Sequence, residues 1–228
     1  MPKVPVRSAG WLRLVACMLA GMLASGLAVA SVTMVGTRVI YPGDAREVTV
    51  QFNNRDAHAN LVQVWLDTGN DKSTIETADA PFAVTPQIFR MNAHTGQMVR
   101  IVFTGSDLPS DRETMFFLNF SQIPATRASS QGSNKLVLMF GSRLKLFYRP
   151  KGLSGSPAEL PGKMTFARGE ANGKPMLHVD NPTPWYAVVR EAVLLDGTQQ
   201  TVLARAAVIA PKSAVDWALP AAGAARSG

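Results

Sequence analysis

The chain of 228 residues is 46% hydrophobic and 17% charged, a composition typical of a folded globular protein that excludes disordered and fibrous classes. This length suits one or two domains of ordinary size. The formal net charge is +7, but it falls to +4 once Lys3, Arg7 and Arg13 are removed with the first 30 residues. A surplus this small does not indicate a nucleic-acid-binding protein.

The first 30 residues predict a secretory signal peptide. Three basic residues precede an apolar run at 14–27, which ends in small residues at 28–30. The run is shorter than the roughly 20 residues that a membrane-spanning helix needs. We therefore expect cleavage after Ala30. The single cysteine, Cys17, lies in this segment, so the mature chain would have no disulfide, thiolate metal site or cysteine nucleophile.

Short segments rich in β-branched and aromatic residues predict seven strands in the first part of the mature chain, at 37–41, 47–52, 61–66, 82–91, 98–103, 115–120 and 136–148. Seven short strands are typical of a β-sandwich. The polar, small-residue stretch at 125–134 predicts a mobile hairpin loop before the last of them.

A Gly/Ser/Pro-rich stretch at 150–157 predicts a linker, and so a division into domains at 31–150 and 151–228. The second part again predicts strands, at 163–166, 175–179, 185–194, 200–207 and 213–219. The predicted fold is therefore all-β, with two domains. Because the chain ends in a low-information tail without a closing strand, we expect the second domain to be incomplete and less stable than the first.

Little in the sequence indicates catalysis. No nucleophile elbow, phosphate-binding loop or dinucleotide fingerprint is present. His58, His94 and His178 lie far apart without metal-ligand spacing. Asp111 and Glu113 flank Arg112, and an ion pair is the simpler interpretation there than acid/base chemistry. We expect no catalytic residues, no metal site and no cofactor.

One strand is apolar on both faces, although a sandwich buries only one. Leu136, Leu138 and Phe140 share one face of it, and Val137 and Met139 share the other. Such a strand either awaits a polypeptide partner or is a central strand buried within its own domain. Periodicity does not separate these two alternatives.

The same strand continues as 143–149, where basic and apolar residues alternate, so Arg143, Lys145 and Arg149 share one face. A lysine there is either solvated or, if partly buried, needs an anion beside it. The pattern alone leaves both interpretations open.

The segment 108–124, Leu-Pro-Ser-Asp-Arg-Glu-Thr-Met-Phe-Phe-Leu-Asn-Phe-Ser-Gln-Ile-Pro, closely resembles the signature of periplasmic pilus-assembly chaperones of the PapD type. The resemblance spans nearly the whole mature chain and continues, in the family's order, through 37–41, 86–91, 100–101, 145–150 and 181–186. It implies two immunoglobulin-like β-sandwich domains set at an angle.

The resemblance also implies roles for individual residues. Arg38 and Lys145 match the two cleft cations that anchor the C-terminal carboxylate of a pilin subunit. Leu136, Leu138 and Phe140 match the alternating residues of a donor strand, which completes a pilin lacking its own last strand. The implied function is to hold such a subunit in the periplasm until an outer-membrane usher passes it to the growing fibre, without ATP or metal.

Glu113 and Arg149 match family residues of an internal ion-pair network. The family's third partner is an aspartate on a later strand, which follows the segment resembling 210–220; here the chain stops first, and Asp216 does not take over that role. A self-capping dimer of the unbound protein stays open. So do two other functions, a secreted β-sandwich adhesion or structural module that self-associates through its apolar strand, and an unrecognised hydrolase.

Overall fold

In the computed structural model, residues 31–105, 107–125 and 138–220 are described. The predicted signal peptide at 1–30, nearly all of the predicted loop at 125–134, and Leu136 lie outside the described residues. Within the described ranges, no helix is long and apolar enough to cross a bilayer.

The N-terminal domain is a sandwich of a four-stranded and a five-stranded sheet, with strand orders β1-β3-β7-β5 and β2-β9-β8-β4-β6. All pairings are antiparallel except that of β2 with β9. The strands are β1 (Val32–Met34), β2 (Arg38–Pro42), β3 (Val48–Asn54), β4 (Asn60–Asp67), β5 (Phe82–Thr85), β6 (Ile88–Met91), β7 (Gly96–Phe103), β8 (Thr114–Pro124) and β9 (Phe140–Arg149).

Alternation along these strands builds the core of the N-terminal domain. The inward positions of β8, for example, are Phe116, Leu118 and Phe120, all buried. Tyr41 is fully enclosed, and its ring stacks on that of Tyr148 with centroids 5.8 Å apart. Its hydroxyl accepts the Phe103 N–H at 3.1 Å and so remains satisfied in the interior.

The structure corrects three details of the predicted strands. The segment predicted as one strand at 82–91 forms β5 and β6, which belong to different sheets. Pro86 lies between them, and a proline cannot donate to a sheet ladder. β1 was not predicted, because three residues carry too little alternation. Leu160–Lys163 forms a short helix, α1, so the strand predicted at 163–166 begins at Thr165 instead.

The C-terminal domain is also β, and its described residues form a three-stranded and a two-stranded sheet. A 3-10 turn at Pro157–Glu159 and α1 precede β10 (Thr165–Ala171), β11 (Lys174–Asn181), β12 (Ala187–Asp196), β13 (Gln199–Ile209) and β14 (Ser213–Ala218). The buried core residues here are Val179, Ala187 and Ile209. The absence of a further strand stays a prediction.

We predict that the C-terminal domain opens first. Its described core has three buried residues against 15 in the N-terminal domain, and opening free energies follow buried apolar contacts. Amide hydrogen exchange followed by mass spectrometry should show exchange in β10–β14 before exchange in β3, β4, β7 and β8. Equal protection of the two sets would contradict this prediction.

Candidate functional site

β9 is accompanied on both sides for only half of its length. β2 pairs with it in parallel from Arg38–Pro42 to Lys145–Arg149. Phe140 to Leu144 pair with β8 on one side, and no described strand lies on their other side. We call this unpaired side of Phe140–Leu144 the open edge. It lies in line with β2 and stops where Arg38 begins.

Arg38 and Lys145 lie side by side at the closed end of the open edge. They are direct partners in the parallel register, so their side chains leave the same face of the sheet. Arg38 is exposed and Lys145 is half-buried. Within the described ranges neither side chain forms an ion pair or hydrogen bond, in contrast to the side chains of Arg143 and Arg149 on the same strand.

The apolar residues at the start of β9 and just before it are exposed. Leu138 is 55% exposed and Phe140 is 58% exposed. By alternation, Phe140 continues the row of Leu144 and Leu146, which pack in the core of the N-terminal domain. Their own domain therefore does not enclose Leu138 and Phe140.

Glu113 and Arg149 meet at the junction of the two domains. Arg149 donates from Nε and Nη2 to Glu113 Oε1 at 3.0 and 2.9 Å. The second carboxylate oxygen of Glu113 accepts the Tyr186 N–H at 2.9 Å, and the Glu113 N–H donates to the Pro184 carbonyl at 2.9 Å. The carboxylate, 4% exposed, therefore bonds to both domains at once.

The loop that receives Glu113 is fixed from within. The Asn181 amide donates to the Trp185 carbonyl at 2.8 Å and to the Ala210 carbonyl at 3.0 Å. Its oxygen accepts the Thr183 hydroxyl at 2.6 Å. Because Asn181 is fully buried, this network gives the segment at 181–186 one conformation, in which the Arg149 guanidinium lies 4.8 Å from the Trp185 ring centroid.

The remaining acidic candidates lie apart from this junction pair. Asp111 forms ion pairs with Lys212 of the C-terminal domain and with Arg112, whereas Glu113 does not pair with Arg112. Asp216 pairs with His178 at 2.8 Å on the surface of the C-terminal domain.

Sequence reasoning missed a second buried carboxylate, Asp67, at the end of β4. Arg143 donates to both of its oxygens, from Nη2 to Oδ1 at 2.6 Å and from Nη1 to Oδ2 at 2.7 Å. Ser73 Oγ and Asn119 Nδ2 add bonds of 2.7 and 2.6 Å, and the Gly69 N–H adds one of 2.8 Å. Residues 67, 119 and 143 lie on three strands, and no local pattern connects them. The only sequence signal was the presence of polar residues inside apolar strands.

The electrostatics of Asp67 follow from these contacts. Burial alone would raise the pKa of its carboxyl, but the hydrogen bonds from Arg143, Ser73, Asn119 and the Gly69 amide outweigh that effect. The pKa of Asp67 is therefore below its ordinary value of 3.8. Asp67 is ionised at neutral pH and neutralises Arg143.

Comparison with known proteins identifies the family of this chain. Residues 31–154 match the family model of the pili and flagellar-assembly chaperone PapD N-terminal domain, and residues 159–228 match that of the pili assembly chaperone PapD C-terminal domain. The chain belongs to this family.

Comparison with individual relatives supports the same family assignment. The chain is 39% identical over 173 residues to the probable fimbrial chaperone YadV of Escherichia coli K12, covering 75% of this chain and 70% of that protein. It is 43% identical over 178 residues to the chaperone protein FimB/FhaD of Bordetella pertussis, covering 75% and 72%.

Solved structures show the same fold. The crystal structure of the YadV chaperone superposes with a TM-score of 0.69 at 34% identity, covering 83% of this chain and 85% of that one. The structure of the Salmonella enterica SafA pilin in complex with the SafB chaperone also matches. Its matching chain superposes with a TM-score of 0.68 at 27% identity, covering 86% of this chain and 87% of that one.

Glu113→Gln is expected to lower the free energy of unfolding by roughly 3 kcal/mol, because it removes the buried carboxylate that neutralises the half-buried Arg149 guanidinium. Denaturant titration followed by Trp fluorescence would measure the change. Glu191→Gln is the matched control. It breaks the exposed Glu191–Arg205 pair, and we expect almost no effect. Equal effects of the two substitutions would contradict the interpretation.

Acid is expected to destabilise the wild-type protein more than Asp67→Asn. The pKa of Asp67 is lower in the folded chain than its ordinary value of 3.8, so its stabilising contribution is fully present above that value. This contribution is lost as the pH falls through the folded pKa. Urea unfolding between about pH 6 and about pH 2.5 would show a shallower pH dependence in Asp67→Asn. Parallel curves for the two proteins would argue against this assignment.

Proposed function

We propose that this protein is a periplasmic chaperone that binds pilin subunits by donating a β-strand and delivers them to an outer-membrane usher. The observation that carries the proposal is the pair Arg38 and Lys145, adjacent and without counterions in the described chain, at the closed end of the open edge. The exposed Phe140 begins the same strand at its other end, and the exposed Leu138 precedes it.

The charge of this pair selects the direction of the guest strand. A strand that occupies the open edge parallel to β9 ends beside Arg38, so its C-terminal carboxylate meets two cations. An antiparallel strand would bring its N-terminal end there, where an ammonium group would be repelled. The open edge therefore favours a parallel strand with a free C-terminus.

The contributions are of the right size for specific capture. Charge-assisted hydrogen bonds contribute about 1.5 to 3 kcal/mol each. Covering Leu138 and Phe140, which are slightly more than half exposed, contributes about 0.8 to 1.7 kcal/mol per side chain before ordering costs. Leu136 is proposed as the third donor residue. Backbone pairing along the open edge supplies the remaining interactions.

Two further features belong to this proposal. Export through the signal peptide at 1–30, cleaved after Ala30, would bring the chain to the periplasm, where its pilin and usher partners are. Glu113 and Arg149 keep the two domains in a fixed arrangement and take no part in chemistry, since the function is binding rather than catalysis. The structure of the SafA pilin with the SafB chaperone supports a pilin as the partner class.

Lys145→Ala is expected to weaken pilin capture by at least about 100-fold, because it removes one partner of a desolvated charge pair. The chain would be co-expressed in the periplasm with each pilin of its gene cluster, and the one-to-one complex would be quantified after affinity purification. Lys151→Ala is the control of equal charge change, since Lys151 lies on the same segment but is 83% exposed, and it should capture as wild type does.

A self-associating adhesion module is the competing function, and the exposure of Leu138 and Phe140 is compatible with it as well. The same preparation separates the two by analytical ultracentrifugation. A chaperone gives a soluble complex with a pilin that depends on Lys145. Oligomers of the chain alone, together with no pilin complex, would overturn the proposal.

A further inference from the structure

A third cation lies on the face that presents Lys145. Arg143 is two positions earlier on β9, and alternation places both side chains on the same side of the sheet. The two positions are roughly 7 Å apart along the strand. Arg143 lies within the stretch that forms the open edge, whereas Lys145 lies at the closed end of that edge. By sequence position alone, it is an equally good anchor for a carboxylate.

A guest strand shifted by two residues is the most dangerous wrong register. A shift of one residue turns every side chain to the opposite face, so packing rejects it. A shift of two residues keeps every side chain on its own face and preserves the ladder hydrogen bonds. Packing rejects such a shift only weakly. The position of the cations is what distinguishes the two registers.

Asp67 removes Arg143 from this competition in two ways. Its carboxylate, with no exposed surface, binds the guanidinium through two bonds of 2.6 and 2.7 Å and neutralises its charge. Together with the Asn70 carbonyl and Asn119 Oδ1, which accept from Arg143 Nη1 at 3.0 and 3.1 Å, it also directs the side chain away from the open edge. Asp67 is on β4, beyond β8, and the guanidinium lies 4.0 Å from the centroid of the Phe117 ring on β8. Two strand spacings, about 10 Å, separate β4 from β9.

We propose that Asp67 is a positioning residue that enforces the register of the bound pilin, by neutralising Arg143 and turning it away so that Arg38 and Lys145 alone receive the C-terminal carboxylate. This inference rests on the proposed function. Buried ion pairs add little net stability compared with apolar residues, and fixing a register is their best-attested use. The complete hydrogen bonding of Asp67 fits that use.

Disulfide mapping tests the register directly. The mature chain has no cysteine, so Ser142→Cys introduces a single thiol at the open edge. Single cysteines are then placed along the last strand of the pilin that co-purifies with wild type. Disulfides form only when the Cα atoms lie within about 7 Å, so positions two residues apart are distinguished.

In the wild-type background one pilin position should cross-link. In Asp67→Asn, a second position two residues away should take at least about a tenth of the product. The bound pilin would then prefer the wild-type register over the shifted one by no more than about tenfold. Asp67→Asn/Arg143→Gln should return to one position. A purely structural role of Asp67 would lower the yield in both variants without adding a second position, and that result would overturn the inference.

Rescue of an inactive variant gives an independent measure. Lys145→Ala/Asp67→Asn should capture at least about tenfold more pilin than Lys145→Ala, and it should do so in the shifted register. Adding Arg143→Gln should abolish the gain. Absence of rescue in a folded double variant would count against the proposal.

Asp67→Asn removes one member of a buried ion pair and could therefore prevent folding. A second variant tests the same premise without this substitution. Gly141 is exposed, shares the face of Arg143, and has nothing within 4 Å of the position a Cβ would occupy. Gly141→Lys therefore adds an unpaired cation without disturbing packing. Lys145→Ala/Gly141→Lys should capture pilin in a register shifted by four residues.

An unshifted register or no capture by Lys145→Ala/Gly141→Lys would overturn the premise that an unpaired cation on this face sets the register. If wild type itself captures no pilin, the proposed function fails, and this inference fails with it. If wild type captures pilin but Asp67→Asn shows one unchanged register, only this inference fails.

Discussion

The structure is organised around the point on β9 where its second neighbour ends. From Lys145 onward the strand has β2 on one side and β8 on the other, and its backbone groups have partners in both directions. Before Lys145 no described strand lies on the β2 side. Unpaired backbone groups at a sheet edge are a standing template for another chain. The strand is therefore held on both sides at one end and, on the proposed function, is the binding surface at the other.

Three cations share one face of β9, and they differ in whether a carboxylate of the chain neutralises them. Arg149 is held by Glu113 at the domain junction, and Arg143 is held by Asp67 at the end of β4. Lys145, between them, has no counterion in the described chain. Two structural ion pairs thus flank one cation that is left unneutralised in the described chain. Unneutralised positive charge on this face of β9 is therefore concentrated at Lys145 rather than spread along the strand.

Much of this organisation was predictable from sequence, because it depends on local alternation. The all-β fold, most strand positions and the shared face of Arg143, Lys145 and Arg149 follow from a period of two. Resemblance supplied Arg38, since nothing local indicates that position 38 pairs with position 145. The Asp67 cluster was not predictable, because it joins β4, β8 and β9 through tertiary packing. The division of 82–91 was missed because both halves have strand composition, although Pro86 marks the break.

The closed end of the open edge has a consequence for the range of guests. In the described chain the open edge is closed only at the end where Arg38 lies, so the position of a guest strand is set relative to its own C-terminus. How long the guest is upstream, and what its remaining sequence contains, do not alter that position. If the proposed function is correct, one chaperone can therefore bind subunits of unequal size, provided that their last few residues are alike.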